Sequence, residues 1–162
     1  MGRFIYLVNE VKRILEEFNY PKDKRTLIQK VLYFSFDKEN RERLFIPYLY
    51  GPYSRDIQLA IFAAEKEEGF RLDSKKTSWQ GEVLSNVRKV LEFFTENEIK
   101  NLKDIANISK IHYLYIQKEI EDINRIKNIA RFLSWLEIYK MNNADIKNLK
   151  KMAERIEQNV CA

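Results

Sequence analysis

The chain has 162 residues, 45% of them apolar and 33% charged, with a formal net charge of +5, which is the composition of a globular domain with a real core and not of a disordered segment. Basic and acidic residues are interleaved, 15 against 12 over residues 1–81 and 14 against 12 over 82–162, so the chain carries no basic arm of the kind that clamps nucleic acid. A single cysteine, Cys161, excludes an intramolecular disulfide and a cysteine-built zinc site, and no apolar run reaches the ~18 residues of a membrane helix, so a cytoplasmic protein without membrane association is expected.

Four glycines and three prolines leave little from which to build loops, and helices should dominate. Residues 3–18 place Ile5, Val8, Val11, Ile14, Leu15 and Phe18 at helical spacing, and Asn19-Tyr20-Pro21 ends that helix. A second amphipathic helix is predicted over 24–36, with Leu27, Val31, Leu32 and Phe34 inward, followed by a polar loop over 37–43. Residues 44–50 are rich in β-formers, although Pro47 restricts them to an edge or irregular strand. Gly51 and Pro52 then make a rigid corner, the glycine free to take a positive φ, and Ser54 caps a helix over 55–68 whose apolar stripe is Ile57, Ala60, Ile61 and Ala64.

Gly69 should end that helix, and residues 70–79 read as a short hairpin or wing pinned by Phe70, Leu72 and Trp79. Helical periodicity resumes at Glu82 with Val83, Val87, Val90, Leu91 and Phe94, breaks near 97–101, and continues over 102–119, 123–139 and 144–160. Short joints between these helices favour antiparallel packing. The expected architecture is mainly α and winged-helix-like, with a short β element. It forms a single domain in which residues 101–162 are a helical extension packed on the 1–100 core.

Two stretches carry a resemblance. Ile28-Gln29-Lys30-Val31-Leu32-Tyr33 followed by Tyr50-Gly51-Pro52-Tyr53-Ser54 resembles the paired elements of the YwgA-like proteins and of the Panacea domain found in SocA- and GepA-like antitoxins. A fainter similarity lies in Ile108-Ser109-Lys110-Ile111-His112-Tyr113-Leu114, so the match spans roughly residues 24–115. Leu49-Tyr50 stands where Panacea proteins commonly carry a tryptophan, which brings the chain nearer the YwgA-like side. The resemblance implies a helical, winged-helix-like core without a catalytic centre, acting by gripping another protein. It also implies that Gln29, Tyr33, Tyr50, Gly51, Pro52 and Ser54 form one structural motif, with Gln29 tying the helix to the Gly-Pro corner.

Little in the sequence supplies chemistry. His112 is the only histidine, with no carboxylate near it in sequence before Glu119, and it reads as a packed residue. The acidic runs Glu65, Glu67, Glu68 and Glu119, Glu121, Asp122 spread around their helices and read as solvated faces; no metal, cofactor or phosphate loop is expected. Lys30 is expected to reach out to solvent. The partner surface is assigned to Tyr53, Arg55, Gln58 and Phe62, with Phe62 either partly exposed or packed beneath the C-terminal helices. The favoured function is a non-enzymatic regulatory module that binds a protein. The alternative is a winged-helix DNA regulator using Arg55, Gln58, Arg71, Lys75 and Lys76, which the net charge of −2 over residues 54–68 disfavours.

Overall fold

The structure, a computed structural model, describes residues 2–66 and 78–161. In chain order these form α1 (Gly2–Glu17), α2 (Arg25–Ser35), α3 (Lys38–Leu44), a hairpin of β1 (Ile46–Tyr48) and β2 (Gly51–Tyr53), α4 (Arg55–Lys66), α5 (Ser78–Glu96), α6 (Leu102–His112) continuing into a π-helical turn (Tyr113–Gln117), α7 (Ile123–Phe132), α8 (Leu136–Lys140) and α9 (Asn143–Cys161). The protein is mainly helical, as expected, and among the described residues it carries one short two-stranded antiparallel sheet. No helix among the described residues is long and apolar enough to cross a membrane.

The centre of the fold is α2, which packs against α1, α4, α5, α6, α9 and β2. Nine consecutive residues, Leu27 to Ser35, are buried, so this helix is enclosed on all sides and does not present the single apolar face that its spacing predicts. Enclosure overturns the expectation for Lys30, which is 2% exposed and does not reach solvent. The same core cluster takes Val87, Val90 and Phe94 from α5, Ile105 and Ile111 from α6 and Ile146 and Ile156 from α9. α4 lays Ile57, Ala60, Ile61 and Ala64 inward and packs mainly on α1, not beneath the C-terminal helices.

Local differences from the sequence reading have identifiable causes. The expected loop over 37–43 is α3, started by the Asp37 side chain accepting from the Asn40 N–H at 2.8 Å and held by Arg41. The expected single helix over 123–139 breaks between α7 and α8, where Ser134 takes φ 63° and the Trp135 N–H bonds back to the Ala130 carbonyl at 2.7 Å. Asn19 and Glu98 end α1 and α5 the same way, each left-handed and followed by a buried apolar residue, Tyr20 and Ile99. This is the Schellman arrangement with its hydrophobic contact, formed here without glycine. Gly69, Phe70, Leu72 and the greater part of the expected wing lie outside the described residues, while Trp79 stands in the first turn of α5 against Phe4.

A buried polar network ties α3 and α9 to the centre. Arg41, fully buried, donates to both oxygens of Glu157 at 2.9 and 2.5 Å, to the Phe36 carbonyl at 3.0 Å and to Gln117 Oε1 at 2.9 Å. Glu157 also meets His112 Nε2 at 3.2 Å, and the other ring nitrogen lies 2.8 Å from the Tyr33 hydroxyl. A carboxylate only accepts, so Nε2 carries the proton, and Nδ1 accepts from Tyr33. The histidine is packed, as expected, but the carboxylate it meets comes from α9, 45 residues on in the chain.

Burial holds the His112 imidazolium below its ordinary range, against the opposing pull of Glu157. Burial pushes the Glu157 carboxyl up, but hydrogen bonds from His112 and Arg41 outweigh it and bring the group down to about 2. Both folded values lie below the unfolded ones, so the stability they contribute is present at neutral pH and is lost as the pH falls. Loss should begin below about 6.5 as unfolded His112 gains its proton, and steepen below about 4.5 as unfolded Glu157 does. Denaturant melts across this range should show that dependence, and His112→Gln should remove the part above about 4.5 and, by taking a hydrogen bond from Glu157, reduce the part below it.

Candidate functional site

All three stretches that carry the resemblance meet at one place. From α2, the Gln29 amide donates to the Ser54 carbonyl and accepts from the Ser54 N–H, both at 2.9 Å. This two-way bond treats the strand end as a neighbouring strand would, and it is the tie to the Gly-Pro corner that the sequence suggested. One residue on, Lys30 Nζ donates to the Pro52 carbonyl at 2.7 Å. Ser54 Oγ in turn accepts from the Ile57 N–H at 3.3 Å and caps α4.

The corner itself is a hairpin. Pro47 lies opposite Pro52, a pairing that a ladder accepts only where no N–H is required, and the turn is Leu49-Tyr50 with Gly51 already in β2. Gly51 has φ +113°, and a Cβ there would fall 2.9 Å from Ser109 Oγ and 3.2 Å from Lys110 Cγ of α6. Glycine is thus required twice, for its backbone angle and for the closeness of β2 to α6. On the far side, the indole N–H of buried Trp135 donates to the Tyr48 carbonyl at 2.6 Å, which brings the α7–α8 corner against the hairpin. No sequence signal linked Trp135 to the hairpin, because the contact depends on the break at Ser134.

These contacts hold an exposed apolar surface in a fixed position. Ile46, Tyr48, Leu49 and Tyr50 are each more than half exposed, and Tyr48 packs against Tyr53 with ring centroids 4.9 Å apart. Beside them a cleft of about 280 Å³ opens between α2, the hairpin and α4, lined by Arg25, Gln29, Lys30, Tyr50, Tyr53 and Gln58 among others. Gln58 accepts from Gln29 at 3.3 Å. Arg25 is held by Glu65 through bonds of 2.9 and 2.8 Å, and its guanidinium lies 4.6 Å over the ring of Phe62.

The structure therefore places half-buried Tyr53 and Gln58 in the lining of the cleft and Arg55 and Phe62 exposed on the same helix as Gln58, and it buries Gln29, Tyr33, Gly51, Pro52 and Ser54. Arg71, Lys75 and Lys76 lie outside the described residues. Among the described residues no cluster of histidine, cysteine or carboxylate side chains is arranged to hold a metal ion. Glu65 and Glu119 are instead paired with Arg25 and Lys38.

No family model, curated protein or solved structure matches this chain at a significant level.

Gly51→Ala should lower stability by about 1–3 kcal/mol through its backbone angle alone. The added methyl also meets Ser109, so Ser109→Ala in the Gly51→Ala background should recover part of the loss. Equal melts for the single and double variants would show that the close approach contributes nothing.

Proposed function

We propose that this chain is a non-enzymatic regulatory module that binds another protein through the hairpin tip and the adjoining face of α4. The observation that carries this reading is the set of four large apolar side chains, Ile46, Tyr48, Leu49 and Tyr50, more than half exposed on a hairpin that four hydrogen bonds with Gln29, Lys30 and Trp135 hold in place. A flexible loop would lose conformational freedom on binding, whereas a braced one presents its aromatics already ordered. Exposed Arg55, Leu59 and Phe62 continue the surface along α4 at helical spacing. Tyrosine and arginine are the residue types that dominate protein interfaces. The resemblance to YwgA-like and Panacea proteins supports the same reading, with an antitoxin-like role as its specific form.

Immobilised protein should retain a specific partner from an extract of the native host. Tyr50→Asp with Leu49→Asp should reduce that retention about tenfold or more while the melting temperature stays within a few degrees, because these side chains support nothing beneath them. Arg55→Glu should weaken it less. Retention unchanged by the hairpin variants would remove this surface from consideration.

The DNA alternative gains no support from α4, where Arg55 and Lys66 are balanced by Asp56 and Glu65 and where Glu65 already holds Arg25. Binding to duplex DNA should be weak, steeply dependent on salt and indifferent to sequence. Tight binding to one defined sequence against mixed competitor, at physiological salt, would make the DNA regulator the better reading.

A further inference from the structure

The cleft beside the hairpin contains a buried lysine that no described residue answers with an anion. Lys30 is 2% exposed and contributes to the cleft's lining, and its Nζ has one neutral acceptor, the Pro52 carbonyl at 2.7 Å. Among the described residues no carboxylate pairs with it. The charged group that acts on it most directly is another cation, Lys110 of α6, whose own carboxylate neighbour is Glu137. Arg25, the second cation of the cleft, is occupied by Glu65. Every other lining residue is neutral: Thr26, Gln29, Gln58, Gly51 and the tyrosines at 48, 50 and 53.

Burial, reinforced by Lys110, holds the Lys30 amine down to about 7. A buried ammonium without a counter-ion is disfavoured relative to a paired one, and an anion delivered into the cleft would remove that penalty. Gln58 uses its carbonyl oxygen toward Gln29, which leaves its amide nitrogen free to donate. Gly51 keeps the amine uncrowded, since a Cβ there would stand 3.3 Å from Nζ. A volume of about 280 Å³ suits a group of modest size and is below that of typical nucleotide sites.

We infer that this cleft is a binding site for a carboxylate carried on a small aromatic or aliphatic group, with Lys30 as its cation and the tyrosines as its walls. The carboxylate belongs either to a free organic acid or to an acidic side chain of a bound polypeptide. The inference goes beyond the protein-binding reading, because the hairpin surface can act with the cleft empty and the cleft can fill without a protein partner.

Calorimetry with phenylacetate, with phenylacetamide as its uncharged counterpart and with the blocked peptide N-acetyl-Tyr-Glu-Leu-amide tests it on the full chain. Phenylacetate or the peptide should bind, and the amide should bind about tenfold more weakly or not at all. Measured in buffers of different ionisation heat, binding near pH 8 should take up close to one proton, because free Lys30 is mostly neutral there and the carboxylate restores its charge. Near pH 6 uptake should fall towards zero. Lys110 acts on Lys30, Arg25 and the three tyrosines line the cleft, and behind them Glu65 holds Arg25 and Glu137 acts on Lys110; of these Lys110 alone is a cation depressed by burial, so Lys110→Met serves as the control that should keep the uptake.

Lys30→Met, shown folded by its melt, should lose the binding about tenfold or more. Phenylacetate binding alone marks a free acid as the source, and peptide binding alone marks a partner's side chain. Binding of both supports the site and the shared chemistry. Equal binding of phenylacetamide, absence of proton uptake near pH 8, or no binding of either carboxylate at about 10 mM overturns the assignment, and none of the three depends on any variant folding. None of these results changes the retention expected of the hairpin variants, so failure here is distinct from failure of the protein-binding reading.

Discussion

A helix enclosed on every side must find partners inside the protein for each polar group it carries, and α2 sets the rest of the structure through that requirement. Its buried polar positions each fix a different neighbour. Gln29 fixes the junction of β2 and α4, Lys30 fixes β2, and the hydroxyl of Tyr33 fixes α6 through His112. The last residue, Ser35, gives its hydroxyl to Val31 and its carbonyl to Asn86 of α5. A buried polar group left without its partner costs on the order of 1–3 kcal/mol. A shift of α2 by one residue would break several of these bonds at once, so apolar packing supplies the stability and the polar positions select one arrangement.

The same constraint explains why a hairpin with short strands is ordered. Two three-residue strands cannot hold themselves together in water, and both contain proline. The order comes from below, through side chains of α2 that take the place of a third strand, and from the side through Trp135. A surface loop braced in this way can leave large apolar groups in solvent without collapsing onto the core. That is the physical link between an interior helix and an exposed apolar surface.

Much of this was legible in residue order. The spacing of apolar residues locates α1, α9 and the end of α5 closely, though α5 begins four residues before the expected start at Glu82, and the Gly-Pro corner with its serine cap reads correctly because those residues act locally. Gln29 could be tied to the corner because both motifs were recognised together. What could not be read depends on residues brought together from far apart. Lys30 looks like a surface lysine until the elements on all sides of α2 are in place, and His112 acquires its carboxylate from a helix 45 positions away. α3 is polar in composition and helical because Arg41 is drawn into the interior. The break at Ser134 interrupts an apolar pattern that continues past it, so periodicity alone gives no warning.

Arg41 and Lys30 show how differently one fold can treat two buried cations. Arg41 meets two carboxylate oxygens, a backbone carbonyl and a glutamine oxygen, and the planar fork of its guanidinium suits that set of acceptors. Every charge there is compensated within the chain, and removing either partner would leave the other uncompensated at a loss on the order of 3–5 kcal/mol. Lys30 meets one neutral carbonyl and stands near a second cation. Methionine at this position would fill similar space without the burden of a charge, but at the loss of the bond to the Pro52 carbonyl. Arg41 is enclosed and answered, so its role ends inside the fold. Lys30 borders a cleft and meets no carboxylate among the described residues, so an anion entering that cleft would complete a pairing the described residues leave open.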